Sequence, residues 1–161
     1  MTQEEFKLLF DKYFDSIRNY IYYRSGDEEL ATDIAQDSFM KLWEKHLDFE
    51  EKPLRSLLYK ISNDLFISKY RREKVAQKYL AKLAPSVNNH SPEDELAYKE
   101  LQTKYETALK NLSEKQRVVF LMSRMEGLKY QEIADQLELS VKAVEKRMTS
   151  ALSFLRKALG K

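Results

Sequence analysis

Two rows of side chains in this chain have the types and spacing to bind nucleic acid, and a third suits a protein partner. Placed on a helix at about 100° per residue, Tyr59, Asn63, Phe66 and Tyr70 fall close together, flanked by Arg55, Lys60, Lys69, Arg71 and Arg72. Aromatic faces stack unpaired bases at about 1–3 kcal/mol per base, while cations hold the backbone. The alternative is a sandwiched helix, with Tyr59 or Phe66 buried against a neighbour. The second row is Lys142, Glu145, Lys146, Arg147, Thr149 and Ser150, away from an apolar stripe of Val144, Met148, Ala151, Leu152 and Leu155. Lys or Arg can pair with guanine edges in a duplex major groove and Glu can accept from cytosine. The third is Asp33, Gln36 and Asp37, a polar edge beside the apolar stripe Leu30, Ile34, Phe39 and Leu42. Carboxylates one turn apart could also hold a metal. Helical di-metal sites need Glu-x-x-His pairs, however, and neither His46 nor His90 provides one.

The second row lies in a predicted helix-turn-helix. Ile133, Ala134 and Leu137 mark the buried face of a short first helix, a turn of about three residues ends at Ser140, and Ser140 is a natural N-cap for the second helix. An ordinary αα-hairpin is the bland alternative; small Ala134 at the crossing and the cationic second helix favour DNA. Upstream, Phe6, Phe10, Tyr13, Phe14, Ile17 and Ile21 predict a first helix ending near Gly26. A second runs from about Asp27 to Leu47, its acids well placed at the amino end. Pro53 opens a third that continues past Arg72 toward Leu83, with Leu54, Leu57, Leu58, Ile61, Leu65 and Ser68 as its core face. Ala84–Ser91 is short, polar and turn-rich, hence a linker, and Ser91-Pro92-Glu93-Asp94 starts a further helix. Ser113 and Gln116 form a capping box for the helix that ends at Gly127.

Composition agrees with an all-α chain: three Gly and three Pro in 161 residues leave little material for turns, and 43% apolar content suffices for one medium or two small cores. With no cysteine there is no disulfide or thiolate chemistry. The segment MTQEEFKLLF lacks a signal-peptide layout, and no apolar run approaches membrane-spanning length, so a soluble cytoplasmic protein with no membrane insertion is expected. The net charge of +2 hides blocks. Residues 27–51 hold nine acids and two bases, residues 52–82 nine bases and two acids, and residues 141–161 six bases and one acid. Local rather than global positive charge neutralises phosphate, so two basic blocks suggest two nucleic-acid surfaces.

Taken in series, DIAQDSFMKLWE (33–44), RSLLYKISNDLFISKYRR (55–72) and LSEKQRVVFLMSRMEGLKYQEIA (112–134) resemble an extracytoplasmic-function sigma factor of the sigma-70 family. The resemblance implies two small helical domains joined by a flexible linker: 1–83, which binds core RNA polymerase and recognises and melts the minus-ten element; 84–91 as linker; and 92–161, which reads the minus-thirty-five element. Polymerase docking would fall on Asp33, Gln36 and Asp37, minus-ten contact on Tyr59, Lys60, Asn63, Phe66, Lys69, Tyr70, Arg71 and Arg72, and duplex contact on Lys142, Glu145, Lys146, Arg147, Thr149 and Ser150. Core polymerase, promoter DNA and an anti-sigma factor are the implied partners. The chain departs from the family pattern at Leu57, Asp64 and Ser68, where Trp, Asn and Asp are usual. It also departs at Lys129, where a capping Ser is common, and at Glu138, where the turn often has Gly. A free-standing helix-turn-helix regulator would leave the basic aromatic helix unexplained, and a helical protein-binding adaptor would leave the recognition helix unexplained. An enzyme is not expected: there is no glycine-rich phosphate loop, metal cluster or nucleophile–base pair.

Overall fold

The computed structural model describes residues 1–70 and 92–160, all of them helix or short connections. The helices are α1 (Gln3–Ser25), α2 (Glu28–Glu44), α3 (Glu51–Leu65), α4 (Pro92–Asn111), α5 (Glu114–Glu126), α6 (Tyr130–Leu137) and α7 (Val141–Ala158), and α3 runs on as a π-helical turn, Phe66–Tyr70. The expected extension of the third helix beyond Tyr70 and the linker at 84–91 lie outside the described residues.

Local chemistry accounts for the helix boundaries. Thr2 Oγ1 accepts from Glu5 N at 3.1 Å, and Glu5 Oε1 accepts from Thr2 N at 2.8 Å, a reciprocal cap that opens α1. Gly26, at φ 72°, closes α1 in the left-handed region that favours glycine. Asp27 Oδ1 accepts from Leu30 N at 3.1 Å and starts α2. Pro53 sits inside the first turn of α3, which begins two residues earlier at Glu51; a proline is tolerated there because the amide has no intrahelical acceptor. Ser113 and Ser140 cap α5 and α7, accepting from Gln116 N at 3.2 Å and Ala143 N at 3.0 Å.

In the amino-terminal half, Leu9, Ile17 and Ile21 of α1, Ile34, Phe39 and Leu42 of α2 and Leu58 of α3 are fully enclosed. Burial of each such side chain contributes about 1.5–3 kcal/mol. Phe6 and Phe10 meet Phe39 edge-on at 6.1 and 5.1 Å, which fixes the α1–α2 crossing. The carboxy-terminal half packs Leu109 of α4, Leu121 and Met122 of α5, Ile133 and Ala134 of α6 and Val144 and Ala151 of α7. The two halves touch: α5 lies on α1, and α6 approaches α3, so the buried side chains form one continuous cluster.

Candidate nucleic-acid interface

The edge of α2 has the form expected of it. Asp33 and Gln36 are exposed and Asp37 is half-buried, while Ile34, Ala35, Ser38 and Phe39 point inward. One turn further on, Met40 is 61% exposed and joins Phe6 and Trp43 along an apolar groove. Met40 is a side chain the pattern alone did not single out. Trp43 is half-buried, its ring 5.0 Å from Phe6.

The aromatic row on α3 departs from the exposed platform the periodicity predicts. Tyr59 and Phe66 are each 3% exposed, so α3 is covered on both sides. Tyr59 lies edge-on to Tyr20 of α1 at 5.2 Å, and the guanidinium of Arg24 sits 4.6 Å above the Phe66 ring. Asn63 is half-buried and accepts from Arg24 Nη1 at 2.5 Å. Lys60 stays exposed. The sandwiched alternative holds in this arrangement because α1 and, from the other half, α6 pack against α3. Ser68, expected in the core face, is exposed, and Leu57 is half-buried. The π turn widens the helix after Leu65, so a projection at constant angle no longer applies there. The side chains of Lys69 and Tyr70 and the whole of Arg71 and Arg72 lie outside the described residues.

Residues from the two halves converge over this face. Arg24, 6% exposed in the last turn of α1, donates through Nε to Glu114 Oε1 of α5 and through Nη1 to Tyr20 Oη at 3.1 Å. Arg117 of α5 donates from Nε to the Tyr23 carbonyl at 2.9 Å and from Nη2 to the Arg24 carbonyl at 3.2 Å. A side chain from one half thus satisfies carbonyls that the end of α1 would otherwise leave to water. Beside this clasp, a cleft of about 240 Å³ runs between the halves; Lys60, Asn63, Lys115, Gln136 and Arg147 are among the residues that line it. Arg147 therefore turns toward the cleft, whereas Lys142, Glu145, Lys146, Thr149 and Ser150 form an open face on α7.

At the far end of α5, Glu126 is packed against α1 and α3, near Asn19, Tyr23 and Tyr59, and its Oε2 has no hydrogen-bond partner. Burial pushes its carboxyl up to about 7, opposed only by a hydrogen bond with Asn19. A raised carboxyl favours the packed state while protonated. That contribution is complete below the ordinary value of 4.5 and is lost as pH rises through about 7. Glu126→Gln is expected to raise stability at pH 8 by about 1–2 kcal/mol, screening included, and to change little at pH 4. Urea unfolding at the two pH values checks this; an equal effect at both would exclude titration of Glu126 as the cause.

The helix-turn-helix has the predicted bounds and two local adjustments. Lys129 provides no side-chain cap for α6; Glu132 Oε1 instead accepts from Lys129 N at 2.9 Å. Glu138 takes φ 56°, so the turn carries a side chain where glycine would be unstrained, and Leu139 N reaches the Ala134 carbonyl at 2.9 Å. On α7, Val144, Met148, Ala151 and Leu155 are buried and Leu152 half-buried. The stripe thus faces inward and holds the opposite, polar face outward.

Among the described residues the fold is all helix, and a helix-turn-helix beside a separate basic, aromatic helix suits a nucleic-acid-binding protein. Comparison with known proteins narrows the class. Residues 9–75 match Sigma-70 region 2, and residues 102–155 match Sigma-70, region 4. The chain is 32% identical over 124 residues to the ferric citrate uptake sigma factor FecI of Escherichia coli, covering 76% of this chain and 72% of that one. It is 26% identical over 168 residues to the ECF RNA polymerase sigma factor SigW of Bacillus subtilis, covering 98% and 90%. Among solved structures, the sigma factor RpoE, in complex with the anti-sigma factor NepR from Bartonella quintana, has the same fold, with TM-score 0.59 and 21% identity over 98% of each chain. The chain belongs to the sigma-70 family, in its extracytoplasmic-function group. As an RNA polymerase sigma factor it binds core polymerase and promoter DNA and directs transcription initiation. Among the described residues, no helix is long and apolar enough to cross a membrane.

Proposed function

We propose that the three surfaces divide the work of initiation along the chain. Asp33, Gln36 and Asp37, with Met40 as an apolar extension, dock on core polymerase. Tyr59, Lys60, Asn63 and Phe66, with Lys69, Tyr70, Arg71 and Arg72, engage the minus-ten element as a melted strand. Lys142, Glu145, Lys146, Thr149 and Ser150 read the minus-thirty-five duplex, with Arg147 at the flank. The units behind this division are 1–83 and 92–161, with 84–91 between them. The observation that carries the assignment is the presence in one chain of an exposed acidic edge on α2 and an exposed polar face on the second helix of a helix-turn-helix. An anti-sigma factor that covers the polymerase-binding faces is proposed as antagonist, by likeness to RpoE with NepR. The site of action is the cytoplasm, and the role is that of an initiation factor with no catalysis of its own. The direct test adds the purified chain to core polymerase and maps transcript starts: defined starts that require the chain support the proposal, and none on any promoter of a genomic library would refute it.

Within the duplex reader, Lys146 and Glu145 tune sequence preference, whereas Lys142 sets affinity from the amino end of α7, where helix dipole and charge both favour phosphate. Lys146→Ala is expected to relax preference at one base pair by about 1–3 kcal/mol, and Lys142→Ala to lower the salt slope by about one unit on every sequence. Selection from a randomised minus-thirty-five library distinguishes the two roles. An unchanged motif with uniformly weaker binding would make Lys146 a phosphate anchor instead.

A further inference from the structure

Arg24 and Glu114 form the least expected pair in the molecule, a buried guanidinium of one half and a carboxylate of the other, 90 residues apart in sequence. Its other hydrogen-bond and ring partners lie in the amino-terminal half, Asn63 and Phe66 of the proposed strand-binding face and Tyr20 of α1: Tyr20 and Asn63 accept from it, and the rings of Phe66 and Tyr20 lie 4.6 and 5.5 Å away. A planar guanidinium fixed by such neighbours presents its remaining donors in a set direction, and the same fork fits a carboxylate or a phosphate. Glu114, in the first turn of α5, fills that direction, and Arg117 fastens the same helix to the Tyr23 and Arg24 carbonyls. Glu114 thereby occupies the open side of Arg24 at the edge of the α3 face, α6 of the same half packs against α3, and the polar face of α7 stays open.

We propose that Arg24 is a phosphate-binding residue of the single-strand face and that Glu114 occupies its place for the phosphate in the free chain, so that the carboxy-terminal half withholds the strand-binding face until the halves separate. This rests on the assignment of the α3 face to the melted strand. Separation removes the carboxylate from Arg24 but leaves Tyr20, Asn63 and Phe66 to hold the guanidinium ready. The pairing then exchanges one anion for another, carboxylate for DNA phosphate, with no net change in the charges buried.

The test uses the full chain free in solution. Fluorescence anisotropy measures binding to a single-stranded oligonucleotide carrying the non-template minus-ten sequence selected by the holoenzyme. Because the chain contains no cysteine, Lys45→Cys and Lys157→Cys place two dyes uniquely, one in each half. Glu114→Gln is expected to widen the dye separation and to tighten strand binding about tenfold, the equivalent of one charge-assisted contact released. Arg24→Gln is expected to widen the separation equally but to bind the strand more weakly than Glu114→Gln by about tenfold. Arg24→Lys, which keeps the charge, should recover part of that loss, and circular dichroism should show native helicity for each variant. Lys60→Ala tests the underlying face: it should weaken strand binding with no change in dye separation. Weaker binding in Lys60→Ala with equal binding in Arg24→Gln and Glu114→Gln would overturn the role of Arg24 alone. Unchanged binding in Lys60→Ala would overturn the face and the inference with it. An unchanged dye separation in Glu114→Gln would overturn the clasp.

Discussion

Truncation of Phe66 or Tyr59 to alanine is expected to lower the stability of the free chain by about 3 kcal/mol, the usual cost of removing a large enclosed ring. Both rings are 3% exposed, and each has a specific partner, Arg24 over Phe66 and Tyr20 against Tyr59. Tyr59→Phe keeps the ring and should retain most of the packing. Urea denaturation followed by circular dichroism measures these effects, and a loss below about 1 kcal/mol for both alanine variants would show the rings to be surface groups after all. The same variants, assayed as holoenzyme, should open promoters poorly. On a pre-melted template the opening defect should shrink while the loss of base stacking persists, which separates a role in the melted strand from a purely structural one.

Joint reversal of charge at Asp33 and Asp37, each to lysine, is expected to weaken binding to core polymerase about 100-fold and to leave unfolding within about 0.5 kcal/mol of the parent chain. Asp33 is exposed and Asp37 half-buried, and no hydrogen bond or ion pair within the described residues depends on either carboxylate, so the fold has little to lose. The effect on docking is large because a surface acid that meets a basic partner turns from attraction to repulsion. Competition against a labelled sigma factor for core polymerase gives the affinity directly. An unchanged constant with both residues reversed would move the docking face elsewhere, with Met40 and the groove beside it the next surface to mutate.

The helices were legible because most carry their own signals within a few residues: caps at Ser113 and Ser140, acids from Asp27 at an amino end, a stop at Gly26, and apolar stripes at regular spacing. The exposure of the polar face of α7 and of the acidic edge of α2 was legible for the same reason, since each is simply the side of a helix opposite its apolar stripe. The fate of the α3 aromatics was not. Periodicity says that Tyr59 and Phe66 share a side but not what lies on that side, and the elements that pack on α3 from outside it include α1 and, from the other half, α6. Arg24 and Arg117 were missed for a related reason. In sequence Arg24 is an ordinary cation in the last turn of a helix, where it complements the dipole, and Arg117 is one charge in a segment of balanced charge. Their roles depend on partners about 90 residues away, Glu114 for the first and the Tyr23 and Arg24 carbonyls for the second. Glu126 was equally silent, because only packing against Tyr23 and Tyr59 removes its carboxyl from water.

The open face of α7 and the covered face of α3 differ in accessibility within the same folded chain. On the proposed assignment, a free copy can scan chromosomal duplex yet has no grip on the unpaired strands exposed at replication forks or behind transcribing polymerases. Such strands carry the same phosphates and bases as a promoter bubble, and a permanently displayed strand reader would be drained onto them. Concealment of that reader keeps the pool of free copies available for polymerase. Strand capture is then confined to the place where the double helix is being opened.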